Sequence, residues 1–416
     1  MVLSFFESQN ISDLYPMALT RPAADMRCGI FTIAEKWVFE LMGADTLAAA
    51  GAESAAGFQE YIANAYFGFV TRDYLSVKFP QPTQAATLYI NGHILPTESL
   101  AKACHSLQPT DSLWQGDTLI ACGANAWNQI QQGTSPENKI DLTPEITFQS
   151  IQRPYDIFSL NGQEMKRDFD RITRGRNSQP IPESNRVIGS HPIFIEEGAK
   201  LECSILNTKE GPIYIGKNAE IMEGSLVRGP FALCEGAVLK MGTKAYTNST
   251  LGPYSVAGGE ISNVVFWGFS NKGHDGFLGN AVLGQWCNIG ADTNASNLKN
   301  TYDDVKVWNY SSRRFEKSGL QFVGLLMGDH SKCGINTMFN TGTVVGVACN
   351  IFGSGFPRNF VQDFSWGGPQ GVIQHQLTAV DKTAALVMPR RKKEYTETEK
   401  EIIHFVFNQF AVSAAE

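Results

Sequence analysis

Ser270-Asn-Lys272-Gly-His274-Asp-Gly-Phe277-Leu-Gly279-Asn-Ala-Val-Leu-Gly284-Gln-Trp-Cys-Asn288-Ile-Gly290-Ala-Asp-Thr-Asn-Ala-Ser-Asn297-Leu-Lys299 decides the fold. Short apolar residues recur in it about every six positions, several followed by glycine: Leu278-Gly279, Leu283-Gly284, Ile289-Gly290. Working outward, the same lattice runs through Ile195, Leu201, Ile215, Ile221, Leu226, Phe231 and Val238, then Leu251 and Val256. It resumes at Val323-Gly324, Cys333-Gly334, Phe339, Val344-Val345 and Ile351. A six-residue period means three short flat strands per coil, with coils stacked in parallel into a prism. The lattice residue of each hexad points inward, and glycine or a small residue turns each corner. Stacking leaves free strand edges only at the two ends. The competing architecture is a Gly-rich β-sandwich, which does not produce the recurring apolar-Gly pairs.

The flanks read differently. Residues 1–150 mix helix and strand signals and suggest an α/β layer fold. Helix is expected over Val38–Leu47 and through the Ala-rich Ala48–Ala65, and strands at Gly68–Val70, Thr87–Ile90 and Leu119–Cys122. Residues 151–187 read as a linker and connecting helix: an extended Pro-containing Arg153–Phe158, then helix over Gly162–Ile172. The prism covers 188–370. Within it Ser354–Pro369 reads as a Gly/Pro-rich, aromatic excursion, and 371–416 is a C-terminal extension. There Thr396-x-x-Glu399 is a capping box opening a helix with Ile402, Ile403, Val406, Phe407 and Phe410 on one face.

Composition excludes some functions. Of 416 residues, 34 are basic and 41 acidic, a net charge of -7 that disfavours nucleic acid as a main partner. The eight cysteines form no CxxC pair and mostly sit in apolar contexts, as expected of buried thiols in a reducing compartment. Met1-Val-Leu-Ser-Phe-Phe lacks the basic start of a secretion signal, and no run of about 18 apolar residues suggests a membrane span. The expectation is a cytoplasmic protein.

A prism has flat faces, so a ligand site is expected between prisms, at the clefts of a homotrimer. A histidine on a turn there is suited to take a proton from an amine or hydroxyl. His274 is that candidate; its bland alternative is a corner residue bonded to a backbone carbonyl. His93 and His330 read as structural. Arg21, Arg27 and Lys36, in the stretch Leu14–Trp37, are of a type that grips phosphates, or else forms ordinary surface ion pairs. Arg390-Arg391-Lys392-Lys393 is either a solvated run or a grip for the 3′-phosphate or pyrophosphate of coenzyme A.

Lys272-Gly-His274-x-x-Phe277-Leu-Gly279-x-Ala-x-Leu-Gly284-x-x-x-Asn288-Ile-Gly290-Ala-x-Thr293-x-x-x-Asn297 resembles the acetyltransferase half of the bifunctional glucosamine-1-phosphate acetyltransferase / N-acetylglucosamine-1-phosphate uridyltransferase family. Leu14-x-Pro16-x-x-Leu19-Thr20-Arg21-Pro22-x-Ala-Asp25-x-Arg27-x-Gly29-Ile30 resembles its Bacteroidetes-type branch. The resemblance implies an α/β nucleotidyltransferase-like domain followed by a left-handed parallel β-helix and a C-terminal helix. It implies an acetyl-CoA-dependent N-acetyltransferase acting on an amino-sugar phosphate, in a route to UDP-N-acetylglucosamine and the cell envelope. By the same resemblance His274 is the catalytic base, Asn288 and Phe277 contact the sugar phosphate, and Asn297 contacts acetyl-CoA. Phe277 stands where the family usually carries a tyrosine. Lys244 occupies roughly the place of a phosphate-binding arginine, with Arg228 and Lys240 as further positive charge. The nucleotidyltransferase half departs more. Thr20-Arg21 survives, but the family's glycines do not, and no paired aspartates for Mg²⁺ are recognisable. UTP and Mg²⁺ are expected only if that half is active. The alternative is a degenerate first domain in a sugar-nucleotide-binding or trimeric assembly protein without catalysis.

Overall fold

The computed structural model describes residues 1–49 and 67–412. Contacts divide them into two units, residues 1–11, 21–26 and 31–152, and residues 12–20, 27–30 and 153–412.

The first unit is built on a six-stranded mixed sheet. Its strands are β1 (Leu3–Phe6), β2 (Phe67–Val70), β3 (Leu88–Asn91), β4 (Asp111–Gln115), β5 (Thr118–Gly123) and β6 (Asn138–Asp141), in the order β2-β1-β3-β5-β4-β6. β1 lies parallel to both β2 and β3, and β5 runs antiparallel to β3 and β4. The three strands expected from sequence are present. Helix α1 (Ile33–Ala49) contains the expected Val38–Leu47. It buries Ile33, Ala34, Trp37 and Val38, a helical spacing, and Trp37 Nε1 donates to the Ile94 carbonyl at 2.7 Å. The Ala-rich stretch to Ala65 lies outside the described residues beyond Ala49. Helices α2 (Glu98–His105) and α3 (Ala124–Gln131) complete the layer.

The second unit is a β-solenoid of the left-handed β-helix type, with parallel ladders on three faces. One ladder steps through Ile193–Ile195, Ile213–Ile215, Phe231–Leu233 and Ser249–Leu251. A second steps through Lys200–Leu201, Glu220–Ile221, Val238–Leu239, Val256–Ala257 and Asn271–Lys272. The third runs from Arg186–Ile188 through Ile205–Asn207, Leu226–Arg228 and Lys244–Ala245 to the start of Glu260–Gly268. One apolar core fills the prism, from Ile195 to Val361.

Most of the predicted inward residues lie in that core. Val323, though buried, does not, and neither do Leu226, Val238 and Val256, whose places Val227, Leu239 and Ala257 take. Each of these last three displaced residues is the first of two adjacent apolar residues, and alternation along a strand admits only one of the pair to the interior. Small residues do not turn every corner either. Along one edge Tyr254, Phe269 and Trp286 hold φ of 57°, 57° and 62°. This left-handed region costs a bulky side chain roughly 1 kcal/mol each. Stacking offsets it: Phe269 lies parallel to Tyr254 at 5.6 Å and to Trp286 at 4.3 Å between ring centres.

Helix α4 (Asp156–Thr173) starts earlier than expected, taking in part of the supposed extended connector. It packs on the first ladder's face with a stripe that is partly polar, because polar groups await it there. Asn161 Nδ2 donates to the Asn248 carbonyl and to Thr250 Oγ1, while its Oδ1 accepts from the Gly29 amide at 2.7 Å. Asp168 Oδ2 accepts from the Ile30 amide at 2.8 Å.

Ser354–Pro369 is not wholly an excursion: Phe360–Val361 and Ser365–Gly368 continue two ladders. A real departure that the lattice did not announce spans about 296–323, where Lys306–Asn309 and Arg314–Lys317 form an antiparallel hairpin. After the solenoid come α5 (Leu377–Val387) and α6 (Glu397–Phe410). The capping box forms as expected, and Phe407 meets Phe364 of this chain's own solenoid edge-on at 5.0 Å. No helix among the described residues is long and apolar enough to cross a membrane. Seven of the cysteines are buried and Cys203 is exposed.

Candidate functional site

His274 sits at the corner between the second and third faces, in a tight turn from Lys272 to Phe277, with its imidazole exposed. The turn is anchored from within the prism. Lys272 pairs in register with inward Ala257, so its side chain enters the lumen, 1% exposed. Its ammonium donates to the Gly258 carbonyl at 3.0 Å and to the His274 carbonyl at 2.8 Å. Burial pushes its pKa down to about 8, against the pull of Asp275 and Asp292. The amine therefore ties the histidine's own backbone to the coil before it. The lattice places Lys272 inward by spacing alone; the sequence reading assigned it no role.

Phe277 and Asn297 come together beside this turn. Both lie over Gly279, where a Cβ would fall 2.5 Å from the Phe277 ring and 2.7 Å from Asn297 Nδ2. Only glycine lets the ring and the carboxamide approach so closely. Asn297 Nδ2 donates to Asn280 Oδ1 at 2.8 Å, and the Phe277 amide donates to Asn294 Oδ1 at 2.8 Å. Lys244 stands in the same outward column as Phe277, with Glu260 between them. It is exposed, its amine 3.9 Å from the Glu260 carboxylate. Arg228 lies one coil beyond on that face, 3.7 Å from Glu210. Three further members of that column, Ile205, Leu226 (45% exposed) and Met338, are exposed apolar residues, interspersed with Arg186 and Asn294.

Asn288 is not with them. It lies on the second face, bridged in register to Asn271 and Lys332. The C-terminal arm crosses there, and Arg391 donates to Asn271 Oδ1 at 3.0 Å.

The residues expected to grip a nucleotide are all buried. In the first unit, Arg21 Nη1 meets Asp25 Oδ2 at 2.9 Å, and Lys36, 0% exposed, lies in the first turn of α1. Arg27 belongs to the second unit, where its guanidinium donates to the Ile30 carbonyl and its own carbonyl accepts from Trp267 Nε1 at 3.0 Å. The neighbouring Thr20 hydroxyl donates to Asp329 Oδ2 at 2.8 Å. His93 is buried between Ser8 and the Ile151 carbonyl, and burial lowers its pKa. His330 occupies the aromatic corner edge, its ring 6.5 Å from that of Tyr395. Among the described residues no group of three or more His, Cys, Asp or Glu side chains is arranged to hold a metal ion.

The class defined by the fold is a β-solenoid preceded in the chain by an α/β domain. A family model described as sugar nucleotidyl transferase matches residues 3–177, somewhat under half of the chain. The bifunctional protein GlmU of Methanocaldococcus jannaschii is 37% identical over 78 residues, 19% of this chain and 18% of that protein. The chain thus spans under a fifth of the length of that curated relative. Two solved structures are also similar. The polySia-specific acetyltransferase NeuO is 15% identical, with 46% of this chain and 87% of that one covered, at a TM-score of 0.25. The UDP-N-acetylglucosamine acyltransferase of Campylobacter jejuni is 12% identical, with 56% and 97% covered, at 0.26.

Proposed function

We propose that this protein is an acetyl-CoA-dependent N-acetyltransferase acting on an amino-sugar phosphate of the glucosamine-1-phosphate kind. The observation that carries the reading is the exposed His274 on a turn pinned from inside by Lys272, with Phe277 and Asn297 packed beside it. His274 takes a proton from the substrate amine as the nitrogen attacks the thioester carbonyl carbon. The carbon–sulfur bond breaks, the proton passes to the departing thiolate, and the products are the N-acetyl sugar phosphate and free coenzyme A. Asn297 contacts acetyl-CoA, and Asn288 and Phe277 face the sugar phosphate. Lys244 and Arg228 add positive charge. The site is completed by neighbouring copies in a cytoplasmic homotrimer, which covers the third face, where Ile205, Leu226 and Met338 are exposed.

The test is acetyl transfer from acetyl-CoA to glucosamine-1-phosphate by the full chain. His274→Ala should lower kcat by roughly 10²- to 10⁴-fold, the usual worth of a positioned general base. Undiminished turnover in that variant sinks the assignment.

The sugar-nucleotidyltransferase family match favours a second activity in the first unit, transfer of a uridylyl group from UTP to the acetylated sugar phosphate. Mg²⁺ then enters with the nucleotide, and Arg21 and Lys36 are that unit's candidate phosphate contacts. UDP-N-acetylglucosamine formed from N-acetylglucosamine-1-phosphate and UTP is the readout; its absence leaves acetyl transfer as the sole activity and the first unit without catalysis.

A further inference from the structure

The C-terminal arm closes over the second face of the solenoid and leaves a cleft of about 320 Å³. Its polar lining is Asn271, Asn288, Lys332, Arg390 and Arg391, and its wall is the Trp286 indole. Three of these side chains are cations and none is a carboxylate. Among the described residues, Lys332, Arg390 and Arg391 have no acidic partner. Lys332 places its ammonium on the His330 carbonyl at 2.8 Å, which uses one of its three N–H groups. Arg391 spends one guanidinium donor on Asn271.

We infer that this cleft is a phosphate-binding pocket, in which Arg390 and Arg391 of the C-terminal arm and Lys332 of the solenoid hold the phosphate group of a small-molecule ligand. Lys332 and Arg391 are partly buried, and with exposed Arg390 they line one cleft without a counterion, an arrangement that a bound anion stabilises. Guanidinium groups suit phosphate because two N–H groups bind two oxygens at once. Asn271 and Asn288 add amide groups, and the stacked Phe269–Trp286 pair gives the cleft an apolar floor for the rest of the molecule. The cleft's size is at the small end for ligand sites, enough for a phosphorylated sugar or a diphosphate with part of its substituent. Charge strain agrees with the geometry. Burial lowers the pKa of Lys332, and burial together with adjacent Arg390 lowers that of Arg391, so a bound dianion relieves both. The exposed Lys244 and Arg228, on another face and each beside a carboxylate, are then not the principal phosphate contacts. Assigning the phosphate to the sugar substrate rests on the acetyl-transfer reading; the pocket's preference for phosphate does not.

Calorimetric titration of the full chain with inorganic phosphate, glucosamine-1-phosphate and coenzyme A tests this. Glucosamine and pantetheine serve as phosphate-free controls. At least one phosphate-bearing probe should bind more tightly than its control. The Arg390→Gln/Arg391→Gln variant should weaken that binding tenfold or more, with an unchanged circular dichroism spectrum. Arg391→Lys, which keeps the charge but loses the fork, should fall between. Lys382→Gln, an exposed change on α5, should bind as the native chain does. Loss confined to glucosamine-1-phosphate assigns the pocket to the sugar, and loss confined to coenzyme A assigns it to the acyl donor. If acetyl transfer is never observed but phosphate binding is present and falls in the variant, the pocket stands and the acetyl-transfer reading falls. Equal affinity of native and double-variant chains for every probe, or no binding of any probe, overturns the inference.

Discussion

Lys272 shows how one residue can serve the fold at a cost to it. An ammonium in an apolar lumen is unfavourable, and two backbone carbonyls only partly compensate. The linkage follows from the lowered pKa. Below pH 8 both folded and unfolded chains hold the proton, and the fold carries the full cost of the buried charge. Between about 8 and the usual lysine value the unfolded chain binds more protons, so stability from this group rises with pH, by about 1.4 kcal/mol per unit. Native protein should therefore gain stability relative to Lys272→Met as pH is raised from 7.5 to 10. Urea unfolding across that range reads the difference, and parallel curves would show that the amine is not desolvated. The same variant should lower acetyl transfer through a displaced His274 turn. His274 was legible in the sequence through the block around it, Lys272 to Asn297, which resembles a catalytic motif; alone it reads as a corner residue bonded to a backbone carbonyl. The role of Lys272 was not, because spacing points the side chain inward but only the structure shows its amine tied to the Gly258 and His274 carbonyls.

At the scale of elements, the C-terminal arm repeats the contrast. The capping box at Thr396 could be read from four residues, because its hydrogen bonds are local. Thr396→Ala should cost about 1 kcal/mol in chemical unfolding, since it removes the cap of α6; an unchanged midpoint would show that the helix is held entirely by packing. Where the arm goes was not local information. The same holds for the 296–323 hairpin, whose Trp308 stacks on Phe360 at 4.3 Å across more than fifty residues of chain. Trp286 links arm and solenoid, packing with Ala384, Met388 and Tyr395. Trp286→Ala should destabilise the chain by roughly 3 kcal/mol and weaken phosphate binding together.

For the whole molecule, the helix α4 covers the first face of the solenoid and the C-terminal arm crosses the second. The third keeps Ile205, Leu226 and Met338 in water. Exposed apolar side chains on a flat face otherwise lined by Arg186, Lys244, Glu260 and Asn294 suit the mixed polar and apolar interface of a symmetric assembly. Sedimentation should give three times the chain mass for the native protein and a smaller species for Leu226→Glu, with the fold unchanged. A native monomer, or a variant of native mass, would refute the trimer and with it a site completed by neighbours.

By itself the sequence determined the prism, because a six-residue period with inward apolar residues has one economical solution, and it determined the capped final helix. It also singled out His274, Phe277 and Asn297, which are close in sequence and remain close in space. Only the tertiary structure decided which of two adjacent apolar residues turns inward, that aromatic rings and not glycines line one edge, and that Asn288 faces Arg391 across a cleft. Those outcomes depend on register between coils and on contacts between segments about a hundred residues apart, which no local pattern encodes.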